Sequence, residues 1–105
     1  MIVRDLLEHF LEFADWVDRD NTPDRIEVGD PNHKFIKVGV GWSACAPNLQ
    51  AAANDDCGLF ITHEPCFCDF WFPDAKLRET DWGRKRLSIL KDNSMALLAL
   101  HDTWD

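Results

Sequence analysis

The stretch "GLFITHEPCF", residues 58–67, decides the fold. Leu59, Phe60, Ile61 and Thr62 are uncharged and rich in the β-branched and aromatic types that pack well on a pleated surface, so they read as a buried strand. That strand runs straight into His63, Glu64 and Pro65. A buried strand therefore ends on an imidazole beside a carboxylate. Pro65 restricts the residue before it to extended geometry and so fixes the direction of Glu64, although a bent loop carries the same proline.

Upstream, "FIKVGVGW" at residues 35–42 is a second β-rich run, whose Gly39 and Gly41 leave space for another backbone or a ligand to come close. Between the two runs, Pro47 suits the first turn of a helix and is followed by three alanines, which predicts a helix over 47–56. Strand, helix, strand implies parallel pairing. Downstream, residues 65–80 are aromatic but show no period of 2 or 3.6, and read as a loop. Thr80 is placed to cap a second helix over 81–92, with Trp82, Leu87, Ile89 and Leu90 as apolar contacts and Asn93 as the stop. "MALLAL" at 95–100 suits a helix by propensity, yet its place after that crossover and before "HDTWD" makes it a third parallel strand.

At the start, Ile2, Val3, Leu6, Leu7, Phe10, Leu11, Phe13, Ala14 and Val17 recur at steps of three and four, which predicts an amphipathic helix over 2–17. The turn formers "DRDNTPD" at 18–24 and a short extended piece at 26–28 follow it. The expectation is one α/β domain over residues 1–105, with a largely parallel sheet and crossover helices.

Composition narrows the partners. The chain carries 46% apolar and 29% charged residues, as a folded domain does, and a net charge of −8. Its basic residues are scattered except for Arg84, Lys85 and Arg86, a triplet that reads as a solvated helix face, so nucleic acid is not an expected partner. No apolar run nears the about 18 residues that a membrane span needs. The opening "MIVRDLLEHF" has Asp5 and Glu8 where a signal peptide is apolar, so no membrane and a cytoplasmic location are expected. Cys45, Cys57, Cys66 and Cys68 form no CxxC pair and read as reduced thiols packed as small hydrophobes rather than as zinc ligands.

The chemistry gathers at strand ends. "LFIT" delivers His63 and Glu64, while "ALLAL" delivers His101, Asp102 and, further on, Asp105. In open α/β sheets ligands bind in the crevice outside the carboxyl ends of the strands. Imidazole with carboxylate suits zinc, manganese, iron or nickel, and a carboxylate can bridge two ions. Either histidine alone fits a capping or core role equally well; two histidine–acid pairs at equivalent strand ends favour metal. His9 and His33 lack that setting and read as surface residues, and Trp71 and Trp104 either wall a pocket for a planar substrate or belong to the core.

Taken together, these residues resemble the Nif-three-like family, the GTP cyclohydrolase I type 2 homologues. "DN" at Asp20 and Asn21 leads to "VGD" at 28–30; "ITHEP" stands where the family has Thr-His-His-Pro, and "HDTWD" where it has His-Thr-Asn-Leu-Asp. The resemblance implies a toroidal homo-oligomer, often a hexamer, with a dinuclear divalent-metal centre in α/β subunits. Carried over by position, His63, Glu64 and Asp105 are the expected metal ligands, and His101 is expected behind them as a supporting residue. Glu64 departs from the family's second histidine, which hardens the site. Family members are also longer, and a further histidine and glutamate near their carboxyl end complete the metal shell. The chain thus corresponds either to the amino-terminal part of a longer protein or to a minimal homologue with a partial site.

The function implied is metal binding, with metal-activated water attacking an unidentified small-molecule substrate. A non-catalytic binding or assembly module is the competing class. GTP cyclohydrolase activity is what the family name suggests, although no glycine-rich phosphate loop is present in the sequence. Self-association is expected through the aromatic segment 67–72, with Phe67, Phe70, Trp71 and Phe72 contributing.

Overall fold

β1 (Arg25–Val28), β2 (Val38–Ser43), β3 (Leu59–Glu64) and β4 (Ala96–Ala99) form one sheet in the spatial order β1-β4-β3-β2 in a computed structural model that describes residues 1–104. β2, β3 and β4 run parallel, joined by the crossover helices α2 (Ala46–Asn54) and α3 (Asp81–Asp92). The extended piece after the turn-former run becomes β1, a fourth strand antiparallel to β4, so the sheet is mixed but mostly parallel.

Each face of the sheet has its own core, as the alternation of side chains along a strand requires. Phe60 and Leu97 pack with Leu49, Ala52, Ala53, Phe67 and Leu90 under α2 and α3. Leu59, Ala96 and Leu98 pack with Val3 and Phe35 under α1 (Val3–Phe13). β4 lies between two strands and beneath helices on both sides, and all four of its residues are buried.

α1 stops at Phe13 rather than continuing to residue 17. The indole of Trp16 donates to the Asp102 carbonyl at 2.8 Å, and that contact draws the chain off the helical path toward the end of β4. β2 begins at Val38 rather than 35, because Lys34 bridges Ile2 and the Phe35 amide donates to the Met1 carbonyl at 3.1 Å. The space at Gly39 and Gly41 is filled by the chain itself. A Cβ at Gly41 would sit 2.9 Å from the Phe60 ring and one at Gly39 3.2 Å from it, so both glycines are there to let Phe60 lie across β2.

The aromatic segment is only partly a surface. Phe67, expected there, is fully buried, and Arg78 lies over its ring at 4.4 Å. Trp71 and Phe72 stay exposed beside the short 3-10 turns Pro73–Ala75 and Leu77–Glu79. Thr80 caps α3 as expected, accepting from the Gly83 amide at 3.0 Å. The four cysteines are free thiols. No helix among the described residues is long and apolar enough to cross a membrane.

Candidate metal centre

The registers of the parallel strands bring the chemistry together. Ser43 pairs with Glu64 and Thr62 with Ala99, so β2, β3 and β4 finish level. The Thr62 hydroxyl donates to the Glu64 carbonyl at 2.7 Å, and the Leu100 amide donates to the Thr62 carbonyl at 3.0 Å. The residues that follow, His63 and Glu64 on one strand and His101 on the next, therefore converge.

Their imidazole rings stack, with centroids 4.7 Å apart and planes 25° apart. Trp42, at the end of β2, covers the other face of His63 at 4.1 Å, and Trp71 meets His101 edge-on at 5.2 Å. Among the described residues, His63, Glu64 and His101 form a group that can hold a metal ion, with one ligand atom from each and all three atoms within 4.8 Å of one another. Two ligands held about 2.0–2.2 Å from one ion lie at most about 4.4 Å apart, so small side-chain rotations close the group on an ion. Nitrogen and carboxylate oxygen are also the donors that borderline divalent metals take. The residues present fit such a group.

Of the residues singled out in the sequence, His63 and Glu64 stand where the motif puts them. His101, expected as a supporting residue, stands as close to both as the third member of the cluster. Asp105 lies outside the described residues. Asp102 holds the His101 ring, its Oδ1 lying 3.0 Å from Nδ1, and its Oδ2 accepts from the Thr22 hydroxyl at 2.7 Å. That bond puts the ring proton on Nδ1 and the lone pair on Nε2, the orientation in which an outer carboxylate fixes a ligating histidine.

Sequence reading did not find Asp24 or Glu27. Asp24 lies among turn formers, yet it is buried and accepts the amides of His101, Asp102 and Thr103 at 2.7, 2.8 and 2.7 Å and the Thr103 hydroxyl at 2.6 Å. Glu27, on β1, accepts the amides of Cys66 and Phe67 at 2.8 and 3.2 Å. Burial pushes the Glu27 carboxyl above its ordinary value, against the pull of those two amides. Burial and the neighbouring Glu27 charge together raise the Cys66 thiol to about 12, which removes it from thiolate chemistry.

Trp104, Trp42, Phe10, Val40, Ile61 and Leu100 line a largely apolar cleft of about 260 Å³ into which His63 faces.

The model of one protein family, Duf34/NIF3 (NGG1p interacting factor 3), matches residues 1–105. The chain belongs to the Duf34/NIF3 family. Solved structures share its fold. Reduced HcgD from Methanocaldococcus jannaschii superposes with a TM-score of 0.78 at 22% identity, over 100% of this chain and 41% of that one. The protein ybgI, of unknown function, gives 0.77 at 21% identity over 96% of this chain and 39% of its own. A Bacillus cereus protein related to NIF3 gives 0.73 at 15% identity, with 98% and 28% covered. This Duf34/NIF3 chain thus spans less than half the length of these structures. No curated protein sequence matches it.

Proposed function

We propose that this Duf34/NIF3 chain binds a divalent metal ion through His63, Glu64 and His101, with Asp105 as a fourth ligand, and that the cleft beside His63 receives a small-molecule substrate for metal-assisted hydrolysis. The observation that carries the reading is the convergence of two imidazoles and one carboxylate from adjacent strand ends within 4.8 Å. A bound divalent ion supplies Lewis acidity toward water and toward a substrate oxygen. The rest is the work of the chain's own residues. Asp102 keeps the His101 proton on Nδ1, Glu64 contributes negative charge at the half-open rim, and Trp42 and Trp104 give the cleft apolar walls.

The three donors would hold one ion, and the dinuclear centre that the family resemblance implies would draw on further ligands. Elemental analysis of protein purified without chelator, paired with melting curves in added zinc or manganese, is the test. Bound transition metal and a melting point that rises with the ion support the centre. Metal-free protein with an unmoved melting point removes it. Release of product from GTP by the metal-loaded chain tests the GTP cyclohydrolase alternative.

A second reading, assembly with further copies of the chain into a homo-oligomer, is favoured by β2. It is an edge strand whose Val40 and Trp42 are 70% and 66% exposed. Light scattering of the wild type against Val40→Lys separates the two roles. An assembly that falls to the monomer mass in the variant places the contact on β2, and a wild-type monomer ends the reading.

A further inference from the structure

Two carboxylates on one short segment hold both metal-bearing ends of the sheet, although neither touches the ion site itself. The turn that presents His101 has three consecutive amides, and all of them donate to Asp24, as does the Thr103 hydroxyl. The loop that follows Glu64 has its Cys66 and Phe67 amides on Glu27. The two acceptors belong to one piece of backbone, because Glu27 lies on β1 and Asp24 immediately precedes it. β1 is itself paired to β4, Arg25 facing Ala99, so the brace is anchored to the strand that delivers His101.

A carboxylate that accepts several amide hydrogens in a buried setting makes strong, short, directional bonds. Losing it frees a turn whose donors then need other partners. His101 hangs on that turn. Its amide is one of the three, and its ring is further tied by Asp102, whose own amide is the second.

We infer that Asp24, with Glu27 as its weaker companion, is a positioning residue of the metal centre: it fixes the His101 turn against β1 so that His101 stands at ligand spacing from His63 and Glu64 before any ion arrives. This rests on the metal reading above. Preorganisation of this kind is what gives outer residues their effect on affinity, typically about 10- to 100-fold for loss of one partner.

The test is a Co²⁺ titration of the full chain at 20 °C, followed by visible absorption, for the wild type, Asp24→Asn, Glu27→Gln and Thr103→Val. Amide exchange at residues 101–103 is measured by NMR in the metal-free proteins. Asn keeps the volume of Asp24 and one acceptor oxygen, and circular dichroism checks that the fold is retained. Asp24→Asn is expected to weaken Co²⁺ binding about 10-fold or more, to change the ligand-field bands, and to speed exchange at 101–103. Glu27→Gln is expected to lose less than Asp24→Asn, because it braces the loop after Glu64 rather than the His101 turn. Thr103→Val, which removes one of the four bonds to Asp24, is expected to lose less than either.

A purely structural Asp24 would lower the melting point while leaving Co²⁺ affinity and spectrum unchanged at 20 °C, and that result overturns the inference with the metal centre intact. A wild type that gives no Co²⁺ bands overturns the metal reading itself, and the inference with it.

Discussion

The two faces of the sheet are finished differently. Under α2 and α3, Phe60, Phe67, Leu90 and Leu97 are sealed, and even the glycines of β2 serve that packing by making room for the Phe60 ring. On the other face, α1 packs on β1 and β4, while at β2 Val40 and Trp42 are left exposed beside a cleft that ends at His63. Both faces carry a core, the second around Val3, Leu59 and Leu98, but only the second leaves apolar side chains of β2 open to solvent, beside His63.

The sharpest way to break that division is Phe67→Ala against Trp42→Ala. Deleting a fully buried ring is expected to cost about 3–5 kcal/mol in denaturant unfolding. The exposed indole, whose main contact is the His63 ring, is expected to cost about 1 kcal/mol. Equal losses would mean that the Trp42 indole is held as firmly as the buried ring.

His63→Ala and His101→Ala come next, each weakening metal binding by about one to two orders of magnitude, or about 1.4–2.8 kcal/mol, with the fold retained. Calorimetric titration with zinc checks both. If only His63→Ala lost affinity, His101 would return to a supporting role. Glu64→His is expected to keep binding and to shift preference several-fold toward zinc over manganese, because imidazole is softer than carboxylate. Competition between the two ions measures it, and an unchanged ratio would take Glu64 out of the ligand set.

The smallest expected effect is a slope. Because burial raises the Glu27 carboxyl above 4.5, the folded chain holds that proton more tightly than the unfolded chain does. The stability it contributes is complete below about 4.5 and is lost as pH rises through the raised value. Glu27→Gln is expected to flatten that part of the stability–pH curve. Urea midpoints at closely spaced acidic pH values show it, and an unaltered slope would mean that another group titrates there.

How far the sequence could be read follows from the range of the contacts. β3 and its terminal His63 and Glu64 were legible because side-chain type and chain order alone specify them, and the crossover helices because Pro47 and Thr80 punctuate them locally. That His101 lies near the other two was legible from the equivalent ends of parallel strands; that it stands at ligand spacing rather than behind them depends on the register between β3 and β4, which no local pattern encodes. Asp24 was hidden for a stronger reason. In a run such as "DRDNTPD" an aspartate reads as a solvated turn former, and its partners lie 77–79 positions away. Phe67 was misjudged because an aromatic stretch without period says nothing about which ring turns inward, and here the amide bonds to Glu27 decide it.

The strand order also sets a timetable. β1 pairs only with β4, so residues 25–28 have no sheet neighbour until residues 96–99 have been synthesised. Closing so long a loop is slow and costly in chain entropy, and nothing rewards it until the final pairing forms. The carboxylate of Asp24 waits through the same interval for the amides it will receive. A nascent chain short of residue 96 thus holds His63 and Glu64 without His101 beside them, and the proposed metal cage forms only once β4 has joined the sheet.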